Sequence, residues 1–422
     1  MKLNYALSFI FLFFLLYSHS QIVDIPDANF KNALLTDIEV NTNGDDEIQV
    51  SEAEAAEFIA VDGMGIASLE GINSFVNITS LYCENNNLTT IDISSLSQLE
   101  VLWAAGNTLE SISFSTPSNL ESIRLGNNSI SDLSVFELES LSMLEELDLS
   151  NNPLGPSFYL EQGSLKEIIL TNCGIETIDL SGMGTLENVF LDQNPLGPAL
   201  SLESGSLEYL YVNDCGLEML NISGLTNLST LSAALNNLSE ISLDENKLLE
   251  VVLVSNNSLT ELDVSNNPLV HAIWVGNNNL IELNMKNGLV SESYELFSFN
   301  GNPDLSFICA DDGEFELIND KLETYGYDDV TVSSDCSLDI EEFESSISWS
   351  MYPNPTAGTL YIASSNVQIN SVEIYDHSGR AIHEFTPNAM EVNLRLEELA
   401  ASVYFVKVET NIGSSIKRLV KQ

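Results

Sequence analysis

Six residues with oxygen donors, Asn41, Asn43, Asp45, Glu47, Gln49 and Glu52, occupy positions 1, 3, 5, 7, 9 and 12 of a polar twelve-residue stretch. That spacing suits calcium between two helices. Side-chain oxygens come from positions 1, 3 and 5, a backbone carbonyl from 7, a donor often working through water from 9, and a bidentate carboxylate from 12. Ile48 supplies the apolar eighth position, and helix-like stretches flank the loop, one following Phe30 and running to Asp37, the other over 53–58. Two positions depart from the pattern. Asn41 replaces an aspartate and removes a charge. Asp46 replaces the glycine of the sharp turn, a place where aspartate tolerates the left-handed conformation better than most residues. Two readings follow: a calcium loop, or a polar turn within a helical cap.

A second set of candidates recurs with a period. Tyr82, Trp103, Arg124, Asp148, Ile169, Phe190, Tyr211, Ser232, Leu253 and Trp274 each fill the fifth place of a repeated phrase, LxxLxLxxNxL, and Tyr209 fills a third place. The phrase's ninth place reads Asn86, Asn107, Asn128, Asn152, Cys173, Asn194, Cys215, Asn236, Asn257, Asn278 and Asn302, in steps of 21 except for two of 24. Apolar residues at places 1, 4, 6 and 11 with such a period are the leucine-rich-repeat pattern. Each unit supplies one short strand. Its fourth and sixth side chains point inward because strand side chains alternate faces, and neighbouring units must stack to bury them. The expected fold is a curved parallel solenoid with a short convex side, in which ninth-place amides satisfy backbone groups.

Places 2, 3, 5 and 7 then face outward on the concave sheet. Place 2 is mainly acidic, as in Glu100, Glu121, Glu145, Glu187, Glu208 and Glu250. The expectation is a groove roughly 45 Å long at the usual strand spacing, with an aromatic and aliphatic floor and a carboxylate margin. Exposed apolar columns of this kind mark interaction sites, although strand propensity alone also favours such residues. The leading contacts are Tyr82, Trp103, Arg124, Phe190, Tyr209, Tyr211, Leu253 and Trp274.

Catalysis has little support. Beyond residue 20 the histidines are His271, His377 and His383, and no GxSxG, HExxH or phosphate-binding glycine loop accompanies them. Glu145 and Glu146 could imitate a glycosidase pair, but adjacent strand residues point to opposite sides. The expectation is a protein that is not an enzyme.

The 422 residues carry a formal charge of −50. Between residues 21 and 345 the basic residues are Lys31, Arg124, Lys166, Lys247, Lys286 and Lys321, and six more lie from Arg380 onward. Such an acidic body repels nucleic acid and anionic membranes. Residues 1–20 read as a secretory signal peptide, with Lys2, an apolar run over 6–17 that falls short of a membrane span, and small residues before Gln21. No later segment is a transmembrane candidate. Cys83 is a core position. Cys173 and Cys215 stand roughly 10 Å apart at strand spacing, too far to pair. Export favours an oxidised Cys309–Cys336 pair stapling the end of the solenoid, the alternative being two thiols.

Residues 337–350 are acidic and free of the repeat, and read as a linker. Short β runs follow at 360–362, 372–375, 392–396, 404–408 and 416–420, which predict a small β-sandwich. This region resembles the C-terminal sorting domain of proteins exported by the type IX secretion system of Bacteroidetes. The resemblance rests on Tyr352-Pro353-Asn354-Pro355-Thr356 with Gly358, Ile374-Tyr375-Asp376 with Gly379-Arg380, Val403 to Val408, and the basic ending Lys417-Arg418-Leu419-Val420-Lys421. A glycine usual before the Tyr404-Phe405 pair is absent, and Ala400, Ala401 and Ser402 stand there. Residues 25–336 look like the secreted leucine-rich-repeat proteins of the same bacteria, with an EF-hand-like cap and a cysteine-bearing end cap.

The resemblance implies delivery across the outer membrane by the secretion machinery, to the medium or the cell surface. The expected parts are a signal peptide (1–20), a helical cap (21–60), repeats (61–308), an end cap (309–336), a linker (337–350) and a sorting domain (351–422). The expected function is a protein-interaction or adhesion module binding a protein or glycan on the concave face. The alternatives are a structural surface or matrix component and, further off, a glycan-binding protein or hydrolase.

Overall fold

The computed structural model describes residues 21–421 except 116–117, 133–137, 161–162, 291–295, 337–348, 365–366, 376–379, 401 and 412. The expected signal peptide, most of the expected linker, and Asp376, Gly379 and Ala401 of the sorting-domain region lie outside the described residues. The chain divides into two units, Met1–Ser334 and Asp335–Gln422.

In the first unit, twelve parallel strands form one front sheet, running from Phe58–Ala60 through Ser80–Tyr82, Val101–Trp103 and each following repeat to Phe297–Ser298. Apart from the two-residue Phe297–Ser298, each strand is three residues long with its middle residue buried, as in Ser80–Tyr82 and Val101–Trp103. The inward apolar residue of place 4 therefore packs in every turn, and one hydrophobic core runs from Val23 to Leu322. The ninth-place amides bind in the same way turn after turn. Asn194 accepts from Cys173 N at 2.9 Å and Ile175 N at 3.1 Å, and donates to Leu170 O and Leu191 O at 2.8 Å each. It thus satisfies four backbone groups that burial would otherwise orphan.

The back is also built of short parallel strands, which among the described residues form four separate sheets: Thr90–Asp92 with Ser111–Ser113, Ser157–Tyr159 with Thr177–Asp179, Ala199–Ser201 with Met219–Asn221, and a four-stranded sheet from Glu261–Asp263 to Thr331–Ser333. A second row of asparagines supports this side. Asn246 donates to Ile222 O and Leu225 O, and Asn267 to Leu243 O and Asn246 O.

The solenoid's sheet begins inside the segment expected to be cap, because Phe58–Ala60 pairs in register with Ser80–Tyr82. The helix expected over 53–58 is correspondingly only Val50–Ala53. Pairing with the first repeat outweighs the helix propensity of the Ala/Glu run, as tertiary contacts commonly do. The other cap helix spans Ala28–Thr36, with Asp27 as its N-cap. At the far end, a helix over Phe315–Tyr325 stops at Gly326, which takes the left-handed conformation.

The second unit has two antiparallel sheets, one of Trp349–Tyr352, Thr359–Ser364 and Glu391–Arg395, the other of Ala381–Phe385, Ile369–Tyr375, Ser402–Thr410 and Gly413–Lys421. Leu360, Ile362, Val372, Ile374, Val406, Val408 and Leu419 fill its core. Asn354, from the Tyr-Pro-Asn-Pro motif, donates to Arg418 O and accepts from Val420 N, which ties the motif to the basic last strand.

Candidate binding face and cap loop

The strand register puts Tyr82, Trp103, Arg124, Asp148, Ile169, Phe190, Tyr211, Ser232, Leu253 and Trp274 side by side in one row on the front sheet. The place-2 glutamates along it, among them Glu100, Glu121, Glu187, Glu208 and Glu250, are exposed.

The row is not uniform. At its first end Tyr82 meets the Trp103 ring edge-on, with centroids 5.0 Å apart, and the Arg124 guanidinium carbon lies 4.2 Å from the Trp103 centroid. Arg124 Nε donates to Glu146 Oε1 at 2.6 Å, Ser122 Oγ to Glu146 Oε2 at 3.0 Å, and Trp103 Nε1 to Ser122 Oγ at 3.3 Å. Tyr82, Trp103 and Arg124 are half-buried in this network. In the middle, Phe190 and Tyr211 stack at 4.9 Å with 23° between planes. Beyond them Leu253 is half-buried beside Trp274, which is 37% exposed, and Tyr209 beside Tyr211 is 40% exposed.

The outward seventh place adds half-buried carboxylates that the fifth-place column does not reveal. Burial pushes Glu84 above the usual carboxylate range; the charge of Asp62 adds to this and Arg124 opposes it. Burial likewise raises Asp192, against donations from Asn213 N at 2.7 Å and Asn213 Nδ2 at 2.8 Å. Asn213 Oδ1 in turn accepts from Ser232 Oγ and Ala234 N. The signal was present in the sequence at Asp62, Glu84, Asp192 and Asn213, one alternation on from the aromatic column.

In the cap loop, Asn41 Oδ1 accepts from Gly44 N, Asn43 Oδ1 from Asp45 N, and Asp45 Oδ1 from Glu47 N. Asn43 Nδ2 donates to Gln49 Oε1, and Gln49 Nε2 to Asp45 Oδ2 at 3.0 Å. Glu52 is buried; it accepts from Asn43 N and Thr42 Oγ1 on one oxygen and from Gln49 N on the other. The Glu47 carboxylate is turned to Lys31 at 2.5 Å. The left-handed residue is Gly44, two places before Asp46, and Asp46 is not left-handed. The expectation that Asp46 makes the sharp turn is therefore corrected, since glycine takes that conformation without a Cβ clash. Hydrogen bonds from Glu47 N and the Gln49 side chain hold Asp45 below the usual carboxylate range. All donors are oxygens, which fits a hard cation. Asp45 and Glu52 are the carboxylates turned into the loop.

Cys309 and Cys336 are disulfide-bonded. Cys83, Cys173 and Cys215 are buried thiols. Cys173 and Cys215 take over the ladder by donating Sγ–H to Leu149 O and Leu191 O. Burial pushes both thiols up to about 11, so they are unreactive at neutral pH.

Comparison with known proteins agrees with the two units. Residues 350–422 match the family model of the secretion system C-terminal sorting domain. Residues 31–152 match the leucine-rich-repeat domain of the endo-beta-N-acetylglucosaminidase EndoS. No curated protein matches the chain. Among solved structures, the functional domain of InlJ from Listeria monocytogenes, which includes a cysteine ladder, aligns at 14% identity over 95% of this chain and 98% of that one, with a TM-score of 0.42. An internalin (InlF) from Listeria monocytogenes aligns at 18% identity over 71% and 95%, with a TM-score of 0.45. The mouse RP105/MD-1 complex aligns at 16% identity over 63% and 60%, with a TM-score of 0.35. Among the described residues no helix is long and apolar enough to cross a membrane. The first unit is thus a leucine-rich-repeat solenoid, and the chain ends in a C-terminal sorting domain of the type IX secretion system.

Proposed function

We propose that this is an exported binding protein, without enzymatic activity, whose front face captures a protein partner at the cell surface or in the medium. The observation that carries the reading is the open half of the row, where Phe190 and Tyr211 stack and Tyr209 and Trp274 stand exposed. Rigid aromatic rings in a cluster serve as contact anchors, and the surrounding glutamates favour a partner with cationic side chains at its rim. The sorting domain supports delivery to the outside. The test is capture of surface and medium proteins, with a glycan array in parallel, by the full chain and by Tyr209→Ala/Tyr211→Ala/Trp274→Ala. A protein ligand retained by the parent and lost by the variant supports the reading. Identical profiles would leave a structural surface component, and array spots lost in the variant would make the ligand a glycan.

The cap loop is proposed to take calcium through Asn41, Asn43, Asp45, Gln49 and Glu52 with the Glu47 carbonyl. The Asn43 and Gln49 amides would have to exchange their mutual hydrogen bond for the ion. With so few ionised ligands, binding falls at the weak end of such loops. Calorimetric titration of the full chain with calcium, repeated on Glu52→Ala, checks this: an athermal parent titration removes the metal.

A further inference from the structure

We propose that the segment Gln21–Ile25 is a strap that couples the cap loop's cation to the first turn of the solenoid, so that calcium binding and seating of the strap strengthen each other. The inference rests on the calcium reading of the loop. Ile22 and Gln49 form an antiparallel bridge, in which Val23 N donates to Ile48 O at 2.9 Å and Val50 N donates to Gln21 O at 2.7 Å. These bonds grip the backbone on both sides of Gln49, directly after the Glu47 carbonyl and just before Glu52. Gln49 N is used inside the loop instead, donating to Glu52 Oε2 at 3.0 Å. Loop and strap thus share one stretch of backbone, and Ile48 is buried with Val23 and Ile25 in the solenoid core.

The strap's other side is fixed by the first turn. Gly71 has a φ of 103°, and a Cβ placed on it would lie 2.6 Å from Asp24 O and 2.9 Å from Ile25 Cγ1. The strap therefore lies against bare backbone and has no room to move toward the solenoid. Asp27, just beyond it, accepts from Ala67 N and Ser68 N of that turn. With Asp45 and Glu52 as the carboxylates turned into the loop, affinity depends on how firmly the remaining oxygens are held. Seating the strap holds their backbone. By linkage, an ion that prefers the held loop also prefers the seated strap.

The test titrates calcium calorimetrically into the full chain and follows hydrogen exchange of residues 21–25 with and without calcium. Saturating calcium should slow exchange at Val23 N about fivefold or more. Gly71→Ala displaces the strap from the solenoid side without touching a loop donor, and should weaken calcium binding by a similar factor. Gly184→Ala, where a Cβ meets no atom within 4 Å, should leave the affinity unchanged. A parent that neither binds calcium nor changes its exchange removes the calcium reading and the strap's coupling with it. Calcium binding by the parent with unchanged exchange at Val23, or with equal affinities in the two glycine variants, overturns the coupling alone. Circular dichroism checks that both variants fold; should Gly71→Ala not fold, exchange in the parent decides.

Discussion

The front and back of the solenoid are made by the same turns, yet among the described residues the front is one unbroken sheet and the back is four. The asparagine rows beneath them differ in the same sense. On the front, Asn194 uses its oxygen and its amide nitrogen, linking backbone groups of neighbouring turns. On the back, Asn246 and Asn267 use only the nitrogen, and their oxygens are buried without a partner. An asparagine satisfied at both ends ties its turn to both neighbours, whereas Asn246 and Asn267 are held through the nitrogen alone. The front is thereby built to hold side chains in register.

The largest effect should come from breaking the front row. Asn194→Ala removes the partner of four buried backbone groups and should cost about 4 kcal/mol, at about 1 kcal/mol or more per orphaned group. Urea denaturation of the full chain measures it. Asn267→Leu on the back abandons Leu243 O and Asn246 O but also removes an orphaned oxygen, so the loss should be about 2 kcal/mol. Equal costs at the two sites would abolish the distinction between the rows.

The front row was legible in the sequence because its asparagine recurs at one place of a phrase read from Ile78 to Asn302, and the strand register follows from that phrase. The back row escaped notice because Asn246, Asn267 and Asn287 lie outside the eleven-residue phrase and occupy only three turns. The break in the back sheet at residues 240–242, which form no strand, was hidden for another reason. Glu240-Ile241-Ser242 has the same polar–apolar–polar pattern as Glu261-Leu262-Asp263, which does form a strand. Pattern sets which side chain points inward, but pairing depends on the neighbouring turn. Likewise Trp103 reads as an exposed anchor until Arg124, one turn later in the same row, is seen to cover it.

The comparison extends to the first turn, where Asp27 holds the cap. One carboxylate oxygen caps the first helix at Asn29 N and Phe30 N, and the other accepts from Ala67 N and Ser68 N at the start of the back face. Burial tends to raise this carboxyl, but the four N–H donors outweigh it and hold the group below its ordinary value of 3.8. A depressed folded value means the stabilisation is complete above 3.8 and is lost as pH falls through the folded value. Asp27→Ala should therefore cost about 1.5 kcal/mol at neutral pH and progressively less in acid. A pH-independent difference in thermal midpoint would show that the side chain acts through packing and not through charge.

The smallest effect concerns the corner where the front strand hands the chain to its ladder residue. The residue before the ladder position is left-handed in Asn85, Asn127, Asn151, Asn172, Gln193, Asp214, Asn256 and Asn277, and glycine takes the role at Gly106 and Gly301. At this corner Leu235 has a φ of 58° and is 55% exposed. A leucine there bears the steric cost of a Cβ in the left-handed region and recovers little of it by burial. Asparagine relieves part of that cost, and in two places it also bonds across turns, from Asn172 Nδ2 to Asn151 Oδ1 at 2.9 Å and from Asn277 Nδ2 to Asn256 Oδ1 at 3.1 Å. Leu235→Asn should thus stabilise the solenoid by about 0.5–1 kcal/mol, and Asn256→Leu should destabilise it by a similar amount. Thermal melts of the two variants side by side decide the matter: shifts of the same sign would mean that the corner's conformation does not limit front-sheet stability.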